Sequence, residues 1–147
     1  MPEVTIAELN ALLAAHPFTR GLGATVTHTG EGEAILEVPY RPENDRPGGM
    51  VGGHVYMLTA DVAFWFAIKT RLGLDDASVT STMSTAFLES AREEAITCVA
   101  RVLRLGGRLI YGVAECSAGS RLLTHHTLTY ARPAPGTSPG TPPRRSP

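Results

Sequence analysis

Residues 55–68 read VYMLTADVAFWFAI, and Asp61 is the only charge among them. A helix that is apolar on every side is a buried helix, because no face of it gains from water. A membrane span is the obvious rival. The run is shorter than the roughly 20 residues a bilayer core requires, and a carboxylate at its middle would be costly there. The segment therefore predicts a core helix. Gly52 and Gly53 lead into it, and Lys69, Arg71 and Gly73 close it, as cations and glycine suit a helix C-terminus.

Working outward, residues 41–49 (RPENDRPGG) are turn formers and charges, hence a loop. Before it stand two strand candidates, 23–29 and 33–40, separated by the hairpin signal Gly30-Glu31-Gly32. After the helix come four more, at 78–88, 95–105, 108–116 and 122–131. Gly106-Gly107 and Ala118-Gly119 mark two of the breaks as tight hairpins. Residues 5–15 form a short amphipathic helix. Thr5 and Glu8 have the spacing of a capping box, and Val4 and Leu9 that of a hydrophobic staple. The order helix, two strands, long buried helix, four strands predicts an α+β architecture. In it an antiparallel sheet of five to six strands curls around one long helix. One domain covers 1–132, with 1–20 as N-terminal helix and lead-in. Residues 133–147, PAPGTSPGTPPRRSP, cannot build a core and read as a disordered tail.

Composition narrows the function. A chain of 147 residues with 43% hydrophobic and 18% charged residues is an ordinary globular protein. A net charge of −1 argues against a broad nucleic-acid or membrane footprint. Cys98 and Cys116 each stand alone in apolar stretches and read as reduced, buried small hydrophobes. His125 and His126 are strand neighbours on opposite faces, so they cannot share a metal, and no metal site is expected. The N-terminus lacks a basic segment followed by an apolar core, which makes the cytoplasm the expected compartment.

The chemistry centres on Asp61. An isolated carboxylate in low dielectric is costly, so a buried Asp is hydrogen-bonded, paired or protonated. Three readings are open: a structural group bonding a backbone end, a side chain that the helix turns toward water, or a functional group. The stretch PGGMVGGHVYMLTADVAFWFAIKT resembles hot-dog-fold thioesterases of the phenylacetate-pathway and hydroxybenzoyl-CoA group. Their pattern is a glycine-rich turn entering a helix with Leu-Ala-Asp-x-Ala, similar to Leu58–Ala63 here. SVTSTMSTAFLESA, ARVLRLGGRLIYGVAECSA and THHTLTYARP are similar to the later strands, so the resemblance spans residues 20–132. This chain departs from it in having Gly52-Gly53-His54 where many members have His-Gly-Gly, and Glu89 where an arginine is usual.

The resemblance implies an acyl-CoA thioesterase, aryl-CoA being one option for the substrate, assembled as a homodimer or homotetramer. It also implies a site at a subunit interface, with helix end and Asp contributed by different chains. No cofactor is expected, coenzyme A being part of the substrate. Asp61 would act as general base or as nucleophile. Gly53 and His54, at the start of the helix, would present backbone N–H groups to the oxyanion. Gly52 lets a carbonyl come close, and Asn44 lies in the preceding loop. Thr80 and Ser81 are candidates to orient Asp61 or water, against the alternative of ordinary strand hydroxyls. Arg92 and Arg108 are candidates for coenzyme A phosphates, against a charged strand edge. Two other functions remain: a hot-dog 3-hydroxyacyl thioester dehydratase or hydratase, and a non-catalytic acyl-CoA-binding protein. Phe64, Trp65, Phe66 and Tyr56 supply apolar bulk near the site, with plain core packing as their simpler role.

Overall fold

The computed structural model describes residues 4–134. Almost all of the tail expected to be disordered lies outside these residues. The chain opens with helix α1 (Ile6–Ala15). The Thr5 side chain accepts the Glu8 N–H, and the Glu8 carboxylate accepts the Thr5 N–H. Val4 and Leu9 are both buried, as a staple requires. A four-residue helix, α2 (Pro17–Arg20), follows with proline at its start. The sequence reading passed over it, although proline favours a helix's first position.

Strands β1 (Thr25–Gly30) and β2 (Glu33–Val38) form the first hairpin. A single 3₁₀ turn at Pro42–Asn44 and a two-stranded ladder, β3 (Asp45–Arg46) with β4 (Met50–Val51), shape the loop before the long helix. That helix, α3 (Gly53–Leu72), begins earlier and ends later than its apolar run. Gly73 ends it with φ +92°, a value only glycine takes comfortably, and its N–H bonds the Lys69 carbonyl at 2.8 Å. Strands β5 (Val79–Phe87), β6 (Ile96–Leu105), β7 (Leu109–Ala118) and β8 (Arg121–Ala131) complete one six-stranded sheet. Every pairing in it is antiparallel, in the order β1-β2-β6-β7-β8-β5.

The sheet wraps α3, which packs most closely on β2, β6 and β7. Alternate residues of the strands face it, among them Leu36, Cys98, Ala114 and Leu128, all fully buried. Phe64, Phe66 and Ile68 fill the space from the helix side, each burial contributing about 1.5–3 kcal/mol. Gly112 on β7 leaves room for the Phe64 ring, since a Cβ there would overlap both that ring and the Arg101 carbonyl. The helix is thus a core element, and among the described residues no helix is long and apolar enough to cross a membrane.

Lys69 closes the helix as the sequence suggests, yet it does so from inside the fold. It is buried, its ammonium donating to the Leu74 and Asp76 carbonyls at 2.7 and 3.2 Å. Burial lowers its pKa, and the nearby Asp76 and Asp75 partly offset this. Cys98 and Cys116, distant in sequence, face each other across β6 and β7, both free and buried. The hydrogen bond between the two, and then burial, hold Cys98 in its thiol form.

Candidate functional site

Asp61 sits at the middle of α3, on the side turned toward β5 and β8. The register places Thr80 of β5 opposite Tyr130 of β8, so two hydroxyls from adjacent strands converge on one carboxylate. The Thr80 hydroxyl donates to Asp61 Oδ1 at 2.7 Å. The Tyr130 hydroxyl shares its proton between Oδ1, at 2.7 Å, and the Asp61 carbonyl, at 3.0 Å. Both contacts fall on Oδ1. One oxygen thus anchors the group, and the other, Oδ2, carries no hydrogen bond from the described residues.

Tyr130 is held in its protonated form. Burial, then the charge of Asp61, moves its pKa far above the usual phenol range, so it remains a donor wherever Asp61 is ionised. Sequence reasoning missed Tyr130, which lies unremarked within the 122–131 strand candidate. Replacing Tyr130 by Phe removes a hydrogen bond to a charged group, worth about 1.5–3 kcal/mol. Urea denaturation of the Tyr130→Phe protein should show that loss as a lower midpoint at unchanged slope.

Asp61 lines a cleft of about 380 Å³ bounded by Phe18, Val62, Trp65, Tyr130, and residues 76–80. Asp76 bonds the Ser78 N–H and hydroxyl, which stiffens the cleft's outer wall. Of the four aromatics expected near the site, Trp65 lines this cleft, Phe64 and Phe66 are buried core, and Tyr56, also buried, borders the helix start instead.

The start of α3 lies elsewhere. Gly53 lines a second depression of about 340 Å³, with Arg46, Val51, Tyr56, Phe87 and Glu89 among its walls. The helix has no side-chain cap, so the N–H groups of its first turn point out unclaimed by a capping side chain. Gly52 is tied to the Asn44 carbonyl at 3.0 Å, and the exposed His54 ring folds back over it. Eight residues of helix separate Gly53 from Asp61, about 12 Å at the α-helical rise. One chain therefore does not bring its helix start and its Asp61 together.

The remaining candidates divide between these two ends. Thr80 meets Asp61. Ser81 does not, because the β5–β8 register slips between Thr80 and Thr82 and leaves it exposed at the irregularity. Arg92 is at the helix-start end, donating to the Gly48 carbonyl at 2.7 Å. Arg108 is exposed in the β6–β7 hairpin, at the opposite end of β6 and near the Tyr130 row. His126 is buried between the Thr85 and Thr124 hydroxyls, 2.8 Å from each, whereas His125 faces Glu115 on the outer side. The two imidazoles do lie on opposite faces. Among the described residues no group of three or more acids, thiols or imidazoles could hold a metal ion.

The edge strand β5 is exposed along nearly its whole length, including Val79 and Phe87, and Leu88 just past it is exposed as well. Beside it, Met57 and His54 on α3 are exposed too.

Comparison with known proteins gives this geometry a context. A sequence profile of the thioesterase superfamily matches residues 48–125, from the loop before α3 into β8. A presumed esterase of Saccharolobus solfataricus is 32% identical over 91 residues. That alignment covers 60% of this chain and 63% of the relative, so the chain spans just under two thirds of it. A conserved protein of Pseudomonas aeruginosa has a similar structure, with TM-score 0.78 and 25% identity, covering 82% of this chain and 97% of that one. Zebra fish thioesterase superfamily member 2 superposes with TM-score 0.81 at 20% identity, over 88% of this chain and 99% of that one. The PaaI protein of the Escherichia coli phenylacetic acid degradation operon gives 0.74 at 20% identity, over 86% and 94% of the two chains. The last two carry the fold alone: a six-stranded antiparallel sheet around a long helix.

Proposed function

This chain belongs to the thioesterase superfamily, and from that premise we propose that it hydrolyses acyl-CoA thioesters with Asp61 at the reacting centre. The observation that carries the reading is the Asp61 carboxylate, anchored by Thr80 and Tyr130 through one oxygen at the wall of a cleft. A thioester carbonyl needs an attacking oxygen on one side and donors for its developing negative charge on the other. Asp61 supplies the first. As general base it takes a proton from water while the water oxygen bonds to the carbonyl carbon. As nucleophile it bonds to that carbon itself, and water then hydrolyses the anhydride. On either route the C–S bond breaks, the sulfur leaves as thiolate and takes up a proton, and the acid is released. No cofactor enters; coenzyme A arrives with the substrate.

The donors are the N–H groups of Gly53 and His54, at the positive end of the α3 dipole. Their distance from Asp61 within one chain supports a composite site built from two chains. The exposed, partly apolar β5 edge supports pairing there with a second copy, since a bare edge strand invites another strand. In that arrangement Asp61 of one chain faces the helix start of the other. The Arg92 side chain lies at the helix-start end, and Arg108 near the Asp61 end, as candidates for phosphate contacts.

The test is release of free thiol from a panel of acyl- and aryl-CoA thioesters. Turnover of at least one substrate is expected, with kcat/KM of about 10⁴ M⁻¹ s⁻¹ or more for a good one. Inertness across the panel would overturn the reading in favour of acyl-CoA binding without hydrolysis.

A further inference from the structure

The cleft beside Asp61 has a built end. Trp65 lies one helical turn beyond Asp61, about 6 Å along the axis and on the same face. Its ring is fixed from below. It lies 5.1 Å from Phe66, and the Lys69 ammonium sits 4.9 Å from its centroid. The same ammonium bonds the Leu74 and Asp76 carbonyls, so the wall and the loop closing the cleft are tied through one buried cation. Opposite stands Phe18 from α2, whose ring is 6.2 Å from Trp65 and tilted by 42°. Phe18 is 56% exposed, and the His16 ring lies 6.1 Å from it. An exposed phenylalanine next to a carboxylate-bearing cleft has no core to serve.

We propose that Phe18 and Trp65 form an aromatic clasp that ends the acyl subsite, making Phe18 the residue that sets the length of acyl group accepted. This rests on Asp61 being the reacting group. With the thioester carbon at Asp61, the acyl tail runs along Val62 toward Trp65 and meets Phe18 within about one turn of helix. A short chain or a flat ring ends inside the clasp and stacks on it. A long straight chain has to displace the Phe18 ring. The N-terminal helical segment thereby acts as a specificity element for a site whose chemistry lies elsewhere in the chain.

The test uses the full chain and compares kcat/KM for butyryl-CoA and dodecanoyl-CoA. Phe18→Ala should raise the dodecanoyl-to-butyryl ratio by about tenfold or more, and Phe18→Trp should lower it, in line with what pocket size does to discrimination. Trp65 is the only tryptophan in the chain, so its fluorescence reads the clasp directly. In the Asp61→Asn protein, butyryl-CoA should shift that emission and free coenzyme A should not. Ratios unmoved in both variants, or equal shifts from acyl-CoA and coenzyme A, overturn the clasp while leaving Asp61 chemistry in place. A wild type without thioesterase activity removes both.

Discussion

Replacing Asp61 by Asn should lower kcat/KM for thioester hydrolysis by about 10²–10⁴-fold, the range lost when a positioned proton acceptor is removed. The substitution keeps the shape of the side chain. Thr80 and Tyr130 still find an oxygen at the Oδ1 position, so the anchoring described above survives. What is lost is the other atom. An amide nitrogen in place of Oδ2 neither takes a proton from water nor attacks a carbonyl, so both routes fail together. Size-exclusion chromatography and thermal melting on the same preparation should match the wild type. A variant that keeps activity within tenfold would remove Asp61 from the chemistry and make it a structural acid that ties α3 to β5 and β8.

Replacing Gly112 by Ala should destabilise the fold by about 1–3 kcal/mol, the range for forcing an extra carbon into a packed core. Gly112 sits in β7, with β6 on one side and β8 on the other. The added Cβ would overlap the Arg101 carbonyl and the Phe64 ring. Neither yields readily: one is backbone within a ladder, and the other is fully buried and packed edge-on against Tyr130 at 5.3 Å. Urea denaturation would measure the loss as a lower midpoint at unchanged slope. Adding Phe64→Leu should recover part of it, because the two residues share one space and are expected to couple. A Gly112→Ala protein as stable as the wild type would mean that the helix shifts away from β7 at little cost. Strain at this point also bears on the site, since Phe64 supports the ring whose hydroxyl holds Asp61.

The fold was legible wherever local chemistry and long-range packing ask for the same residues. The VYMLTADVAFWFAI run can only be a core helix, and the capping box, the closing glycine and the hairpin glycines fall where the structure needs them. The missing pieces were short ones. Helix α2 has only four residues, and the β3–β4 ladder only two residues a side, too few for any periodicity to appear. The burial of Lys69 was not foreseeable from its place at the helix end, because it depends on two loop carbonyls that fold back to meet it.

The candidate site was visible in the sequence at Asp61, a charge with no local reason to be there. Its partners were not, because a contact between α3, β5 and β8 depends on strand register, which the residue types leave open. Thr80 and Ser81 looked equivalent in sequence, and a slip of the ladder beside Thr80 separates their roles. Tyr130 differs from other strand aromatics only in what its hydroxyl reaches. The separation of Gly53 from Asp61 is plain helical arithmetic, and it is the physical ground for proposing a site shared between two chains.

The facing cysteines carry a practical consequence. Both thiols of the chain are sealed between sheet and helix, so a chromogenic disulfide reagent added to the native protein finds nothing to react with on the protein itself. In the proposed thioesterase assay, the colour it develops would come from the released thiol alone. Once the barrier between sheet and helix opens, two further thiols per chain reach solvent. The same cuvette then holds a clock for catalysis and an alarm for unfolding, each with its own stoichiometry.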